Sequence, residues 1–514
     1  MSTSRYLLPL ALFLVPSAFA QDDAAKAPAA PTVAVPEGAP TGPVFGTALQ
    51  EIASDSLFAN AAVGVRVVRM SDGAVVWEHG DDRPMIPAST MKLLTAATAL
   101  ETLGPAYRFP TWVMVDGEVD VNGVLDGNLY IKGQGDPSMV SERLWRMALD
   151  VRLRGIKEVR GSVIFDDSYF QDSTLIPGWT EADDLDEGPT YFPPLGALSV
   201  NYNIAALVVR PTASGQAASV EFEAPSPAVV IEGSIMTGST RSRYWVDIDR
   251  EVDPASLVAT YKVKGNVPAD EGAKTIYRSL SDPLTNYIGT FQSLLKAQGV
   301  KVKGGFKPGL TPTGAKVLLT EYSDPLVDIL AQMNKKSNNF MAEQVLRCVG
   351  AEKYGLPGTT EKGLRAMKEY LGSAGVKPDG YTITNGSGLS RGTALRPSAL
   401  TAVLSDMYRN AAVGPEFFTT LSVGGRDGTL AYRFREDGME GRMRGKTGTL
   451  NGVSTLAGYV RAADGEVYAF AFLANDIDGA VSRARRAHER LVATLAGTSA
   501  NVADGTEDVD EPGR

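Results

Sequence analysis

Two β-hairpin patterns, at opposite ends of the 514-residue chain, constrain its fold more than any other feature. Near the N-terminus, residues 63–77 form two short runs around Ser71-Asp72-Gly73. Near the C-terminus, residues 453–475 form two longer runs around Ala463-Asp464-Gly465. Turn residues between two such runs are typical of a hairpin. Because helical patterns flank both hairpins, we expect an α+β fold. One antiparallel sheet would be built from both ends of the chain and flanked by helices, with the middle of the chain inserted into it.

Composition changes along the chain suggest where its segments begin and end. Residues 109–281 contain short apolar runs punctuated by Gly, Asp and Pro, which predicts a large β-rich insertion made of one or two smaller domains. Residues 46–108 and 282–497 carry the helical patterns and both hairpins, so we expect them to form the domain that receives it. The Ala/Pro-rich residues 21–45 predict a flexible spacer, and the acidic residues 498–514 predict a disordered tail.

The first twenty residues have the pattern of a secretory signal peptide. Arg5 precedes an apolar run over residues 6–15, and Ser17-Ala18-Phe19-Ala20 ends in a small-residue cleavage site. The run is too short to span a bilayer comfortably, and no cysteine follows Ala20 to carry a lipid. We therefore expect export to the periplasm, or to the cell wall or medium where there is no outer membrane, with at most loose membrane association.

Cysteine and charge narrow the functional classes further. Cys348 is the single cysteine, so an intramolecular disulfide is impossible, and its helical surroundings predict a buried small side chain instead of a catalytic thiol. The net charge is −10, and no run of Lys and Arg is long enough for a nucleic-acid-binding surface.

The histidines argue against two common catalytic arrangements. The chain has only His79, near a strand end, and His488, in an Arg-rich terminal helix where we expect it to be solvated. We therefore expect neither a Ser-His-Asp triad nor a multi-histidine metal site. If the protein is a hydrolase, its general base must be another residue type.

Lysine can be that base where burial or neighbouring cations lower its pKa. Ser89-Thr90-Met91-Lys92 places a serine and a lysine one helical turn apart, at the start of a helix whose following residues are apolar. Free backbone N–H groups at a helix start favour a developing oxyanion. A second copy, Ser293-Leu294-Leu295-Lys296, lies inside a predicted helix, and we interpret it as structural.

Two further short motifs follow in the chain. Lys336-Ser337-Asn338-Asn339 lies between two predicted helices, where a turn can present Ser337 and Asn339 to a cleft, although Ser-x-Asn also occurs at residues 199–201 and 499–501. Lys446-Thr447-Gly448-Thr449 precedes the C-terminal hairpin. On an edge strand it would offer a cation, a hydroxyl and a glycine that admits a substrate backbone; a surface turn is the alternative.

Together, these three motifs in this order resemble the penicillin-binding protein and serine β-lactamase superfamily. The 248 residues between Ser89 and Ser337 make the chain similar to the PBP4-like D-Ala-D-Ala carboxypeptidase/endopeptidase family, peptidase family S13, which carries inserted domains there. The resemblance covers about residues 45–497 and includes Asn385-Gly386-Ser387-Gly388-Leu389-Ser390. Asn338 departs from it, since many relatives have Asp at that position.

The resemblance implies a serine acyl-transfer mechanism without a metal or organic cofactor. Ser89 Oγ would attack the carbonyl of the penultimate D-Ala and expel the terminal D-Ala. Lys92 would take the serine proton. Ser337 would hydrogen-bond with Lys92 and relay the proton to the leaving amine, and water would then hydrolyse the acyl-enzyme.

The same resemblance implies how substrate is held. The N–H groups of Ser89 and Thr449 would form the oxyanion hole. Asn339 would bind the substrate amide, and Lys446 and Thr447 the terminal carboxylate. Peptidoglycan peptides would be the substrates and β-lactams covalent inhibitors. A serine β-lactamase or esterase, and a non-catalytic cell-wall-binding protein, remain alternatives with the same fold.

Overall fold

The computed structural model describes residues 43–176, 190–436, 438–477 and 479–497. The expected signal peptide (1–20) and acidic tail (498–514) lie outside these residues. So does the expected spacer (21–45) up to residue 42, whereas its last three positions belong to a helix that begins at Pro43. None of the described helices combines the length and the apolar character that a bilayer crossing would need.

The described strands and helices are numbered in chain order. The strands are β1 (Ala62–Arg69), β2 (Val75–His79), β3 (Pro110–Val115), β4 (Glu118–Val119), β5 (Val124–Asp126), β6 (Leu129–Lys132), β7 (Glu158–Val159), β8 (Val163–Asp166), β9 (Ile204–Arg210), β10 (Ser219–Phe222), β11 (Val229–Gly238), β12 (Trp245–Val252), β13 (Ala259–Pro268), β14 (Lys274–Ser279), β15 (Lys301–Val302), β16 (Phe306–Pro308), β17 (Lys316–Tyr322), β18 (Tyr381–Thr382), β19 (Ala394–Leu395), β20 (Ser422–Val423), β21 (Met443–Leu450), β22 (Val453–Arg461) and β23 (Val467–Asn475). The helices are α1 (Pro43–Ala53), α2 (Lys92–Leu103), α3 (Ser141–Leu153), α4 (Pro283–Ala297), α5 (Leu326–Lys335), α6 (Asn339–Tyr354), α7 (Thr360–Ser373), α8 (Pro397–Arg409), α9 (Gly414–Thr420) and α10 (Val481–Ala496).

A six-stranded antiparallel sheet unites both ends of the chain, as the two hairpins predicted. Its order is β2-β1-β23-β22-β21-β20, so the N-terminal hairpin joins the C-terminal one where β1 pairs with β23. Side chains alternate between the faces of a strand. On β23, Ala469, Ala471 and Leu473 face the core formed with α2 and α5–α9, and Phe470 and Phe472 face the core formed with α1 and α10. The expected α+β class is confirmed.

The block between α2 and α5 contains two further hydrophobic cores. One lies between the strands β3, β6 and β8 and the helices α3 and α4. The other lies between two three-stranded sheets, β10-β9-β14 and β11-β13-β12, which form a small β-sandwich over residues 204–280. The β-rich texture of this block in the sequence therefore corresponds to two packed units.

Strand pairing suggests a different C-terminal limit for the insertion. Strands β15, β16 and β17 pair with β7, β8 and β3, and Tyr287 and Phe291 of α4 are buried in the same core. We propose that the inserted region extends to Tyr322 instead of residue 281, and that the chain returns to the sheet-bearing domain at α5.

The expectation that His488 is solvated is wrong. On α10 it lies on the face that carries Ala484, Leu491 and Leu495, which packs against the central sheet, and it is fully buried. Its ring lies edge-on to that of Phe472, 4.6 Å away. Burial, and then the nearby cations Arg433 and Arg485, lower the pKa of His488 well below its ordinary value.

Candidate active site

Ser89 lies in a tight 3₁₀ turn, Ala88–Met91, immediately before α2. Ala88, the residue before it, has a φ of +45°, a left-handed conformation that is costly for a residue with a side chain. The turn is held by its neighbours, since the Pro87 carbonyl accepts bonds from Thr90 Oγ1 at 2.6 Å and from Thr455 Oγ1 of β22 at 2.8 Å. The Ser89 side chain is partly exposed and can be reached by substrate.

Lys92 is fully buried beside Ser89. Its Nζ lies 3.0 Å from Ser89 Oγ, 2.6 Å from Asn339 Oδ1 and 2.8 Å from the Ser387 carbonyl oxygen. Burial, and then repulsion from Lys446, lower the pKa of Lys92 well below its ordinary value, while the charge of Glu343 opposes that shift. The α2 residues around it are apolar and buried, as the sequence predicted.

Ser337 lies in the turn between α5 and α6, with a φ of +56°. Its Oγ accepts a hydrogen bond from Lys446 Nζ at 2.9 Å. Among the described residues, the hydrogen-bond partners of Lys92 Nζ are Ser89, Asn339 and Ser387, and the expected bond between Lys92 and Ser337 is not formed. Ser337 is thus paired with the second lysine of the site instead of the first.

Asn339 and Asn338 have different roles at the start of α6. Asn339 Oδ1 accepts from Lys92, and its Nδ2 donates to the backbone oxygen of Tyr191, 3.2 Å away. Asn338 caps the helix, since its Oδ1 accepts from Met341 N at 2.9 Å. Asp and Asn are about equally good N-caps, so Asn338 does here what an Asp at the same position would do.

The segment Lys446–Thr449 lies on β21 beside the nucleophile. β20 pairs with only Arg444 and Gly445, so residues 446–450 form an edge, as predicted. A Cβ at Gly448 would lie 2.8 Å from both Ser89 N and Pro87 O, closer than real contacts allow, so glycine lets the strand approach the nucleophile turn. Lys446 is fully buried, and Thr447 Oγ1 donates to Thr429 Oγ1 at 2.8 Å.

Sequence reasoning missed Glu343, a fully buried carboxylate beneath the site. It accepts from Ser387 N at 2.7 Å, and both of its oxygens lie 3.0 Å from Gly386 N. Burial raises the pKa of Glu343, and these hydrogen bonds oppose the increase. A signal was available, because Glu343 is four residues after Asn339 and so lies on the same helix face.

The second Ser-x-x-Lys copy lies elsewhere. Ser293 and Lys296 belong to α4 in the inserted region, on a groove that Glu221 and Phe222 of β10 also line. Ser293 lies well inside the helix. A residue there has its N–H engaged in the helical ladder, so it cannot offer the free donor that an oxyanion needs.

Comparison with known proteins identifies the family. The model of the D-Ala-D-Ala carboxypeptidase 3 (S13) family matches residues 46–495. The D-alanyl-D-alanine carboxypeptidase of Actinomadura sp. (strain R39) is 33% identical over 445 residues, which cover 84% of this chain and 81% of the relative. D-alanyl-D-alanine carboxypeptidase DacB of Haemophilus influenzae is 26% identical over 411 residues, 79% of this chain and 84% of the relative.

A solved structure agrees with the fold. The crystal structure of penicillin binding protein 4 (dacB) from Haemophilus influenzae superposes with a TM-score of 0.73 at 24% identity, over 87% of this chain and 97% of that one. The resemblance inferred from the three motifs is confirmed, and with it the assignment as an enzyme. The chain belongs to the D-Ala-D-Ala carboxypeptidase 3 (S13) family and is a serine-type D-Ala-D-Ala carboxypeptidase.

Proposed function

We propose that Ser89 is the nucleophile of this enzyme and that it cleaves peptidoglycan stem peptides, or the cross-links between them, through an acyl-enzyme. The observation that carries the proposal is the surroundings of Lys92 Nζ, which is fully buried, 3.0 Å from Ser89 Oγ, and near a second lysine. Burial and a neighbouring cation both favour the neutral amine, which is the form that can accept a proton.

A neutral Lys92 fits the hydrogen-bond geometry around its Nζ. A neutral amine has two N–H donors and one lone pair. The two donors match Asn339 Oδ1 at 2.6 Å and the Ser387 carbonyl at 2.8 Å. The lone pair then faces the Ser89 hydroxyl, so the serine proton passes to Nζ as Oγ attacks the D-Ala carbonyl.

The leaving amine takes its proton through Ser337. As the bond from carbonyl carbon to nitrogen breaks, the hydroxyl of Ser337 donates its proton to the leaving nitrogen and takes one from Lys446 Nζ, which lies 2.9 Å from its oxygen. This route differs from a direct relay between Lys92 and Ser337. The two lysines then have different roles, Lys92 as the base and Lys446 as the proton source behind the acid.

The other β21 residues bind the substrate. Lys446 and Thr447 would take the free terminal carboxylate, and the N–H groups of Ser89 and Thr449 would stabilise the oxyanion. The close approach of Gly448 to Ser89 N supports that pairing. Asn339 would hold the substrate amide once substrate displaces its contact with the Tyr191 backbone.

We propose that the enzyme acts outside the cytoplasm. The pattern of residues 1–20 supports export to the periplasm or, without an outer membrane, to the cell wall. β-lactams, which carry a strained amide in place of the peptide bond, would acylate Ser89 and inhibit the enzyme. Measuring the turnover of a stem peptide and of a cross-linked peptide would show which of the two substrates the enzyme prefers.

Covalent labelling tests the nucleophile directly. Purified protein treated with benzylpenicillin should carry one adduct per chain, which peptide mass spectrometry should place on Ser89. Ser89→Ala should abolish labelling, and Ser293→Ala, which alters the other Ser-x-x-Lys copy, should leave it unchanged. An adduct on Ser293, or labelling of Ser89→Ala, would overturn the proposal. Turnover of a chromogenic β-lactam faster than a D-Ala-D-Ala peptide would show a β-lactamase instead.

A further inference from the structure

A buried anion lies one helical turn below the site. Glu343 follows Asn339 by four residues on α6, so it extends the face that contacts Lys92 deeper into the protein. It has no exposed surface, and its oxygens accept bonds from two consecutive backbone N–H groups, Gly386 and Ser387. A carboxylate held in this way fixes the backbone direction of residues 386–387.

Residues 386–388 contact α2 and the turn before it at three points. The Ser387 carbonyl accepts from Lys92 Nζ at 2.8 Å, and the Gly386 carbonyl accepts from Thr95 Oγ1 at 2.5 Å. Gly388, with a φ of +79°, packs so closely that a Cβ there would overlap the Ala88 carbonyl oxygen. A displacement of residues 386–388 would therefore move both Lys92 and the turn that carries Ser89.

The charge of Glu343 also affects the protonation of Lys92. The charged groups that face Glu343 or Lys92 are Lys92 itself on α2, Lys446 on β21, and Arg347 one turn further along α6. Glu343 is the anion among these four. Its negative charge favours the protonated form of Lys92, while burial and Lys446 favour the neutral form.

We propose that Glu343 is a positioning residue for acylation: it fixes the 386–387 backbone that holds Lys92 against Ser89. This inference rests on the proposed roles of Ser89 and Lys92. It assigns Glu343 no contact with the substrate.

The test is the pH profile of the second-order acylation constant, measured with benzylpenicillin. Glu343→Gln keeps the shape but removes the charge and one acceptor. The plateau should fall by about tenfold or more, as expected for losing a charge-assisted bond in the site. The acid limb should move to lower pH by about one unit, because without the anion Lys92 loses its proton more easily.

Thr95→Val is the matched control. Thr95 is buried and bonds to the same loop through Gly386, but it carries no charge. Its substitution should lower the plateau and leave the acid limb in place. Glu343→Asp keeps the charge with a shorter reach, so it should also lower the plateau while the limb stays close to that of the wild type.

The outcomes separate the two proposals. Wild-type protein that is not acylated on Ser89 contradicts the proposed function. If the wild type is acylated normally, an acid limb that is unmoved or moved to higher pH in Glu343→Gln overturns the positioning role. Should Glu343→Gln fail to fold, as judged by circular dichroism, an unchanged plateau in Glu343→Asp would overturn it instead.

Discussion

The candidate active site and the inserted β-sandwich use the same ionisable residue types in opposite surroundings. In the site, Lys92, Lys446 and Glu343 all have 0% of their surface exposed. On the sandwich, Lys262 and Lys264 pair with Glu251 and Asp247 across neighbouring strands, with side-chain exposures of 47% to 64%. All four of these side chains are exposed to solvent, and so are the ion pairs that they form.

The difference separates charges that lie where chemistry is proposed from charges that remain in contact with solvent. Removing an ion from water costs several kcal/mol in a protein interior, so the site groups reduce stability unless each is well bonded. The same cost lowers the pKa of Lys92, which favours the neutral amine that the proposed mechanism requires. Exposed pairs are screened by water and salt, and they contribute little to stability.

Substituting Lys92, the proposed base, should have the largest effect. Lys92→Arg keeps a positive charge at the position, but a guanidinium does not release a proton near neutral pH. Acylation by benzylpenicillin should fall by about 10³-fold or more, the order of general base catalysis. The control is the melting temperature, which shows whether the larger side chain is accommodated. If a folded Lys92→Arg variant acylates at the wild-type rate, the buried lysine does not act as a base, and the proposed contrast between the site and the sandwich fails.

Lys446→Ala should have a smaller and substrate-dependent effect. If Lys446 binds the terminal carboxylate, turnover of a D-Ala-D-Ala peptide should fall by about 10²-fold, because a charge-assisted contact is lost. A peptide with an amidated C-terminus should be a poor substrate of the wild type and be affected little by the substitution. Equal losses on both peptides would indicate that Lys446 acts mainly through Ser337, to which it donates at 2.9 Å.

Much of the candidate site and of the central sheet could be predicted from the sequence. Ser89, Lys92 and Lys446 were found because three short motifs occur in a fixed order, and the central sheet was predicted because its hairpins are local patterns. Glu343 was missed because a single glutamate in a helix resembles any exposed one until the loop at residues 386–387 folds against it. His488 was misjudged because its arginine neighbours obscured the apolar spacing of α10.

The limit that we propose for the insertion, Tyr322, leaves no signal in the sequence for a related reason. β17 pairs with β3 across about 200 residues of chain, and such long-range pairing leaves no local pattern at residue 281. Local sequence patterns therefore predicted single elements well, and the pairings between distant segments only where both partners were distinctive hairpins.

His488 extends the comparison to a buried titratable group outside the site. Its pKa in the folded protein is well below the ordinary value, so below about pH 6.5 the unfolded chain binds a proton that the folded chain does not. Stability should then fall with decreasing pH, by about 1.4 kcal/mol per unit from this group. His488→Phe, which can still pack on Phe472, should melt with a weaker dependence on pH between 6.5 and 5. An unchanged slope would show that His488 is protonated in the folded state.

The smallest effect is expected on the sandwich. Lys264 Nζ lies 2.8 Å from Asp247, and this hydrogen bond raises the pKa of the lysine, yet both side chains are about half exposed. Solvent screens such a pair, so Lys262→Ala/Lys264→Ala should leave the melting temperature and peptide turnover within experimental error. The differences between variant and wild type in melting temperature and in peptide turnover should stay equally small from low to physiological ionic strength. The informative substrate is intact peptidoglycan, compared with a short D-Ala-D-Ala peptide. A loss of activity confined to the polymer would mean that the charged sandwich face binds the cell wall, and that its exposed lysines serve function as much as the buried ones do.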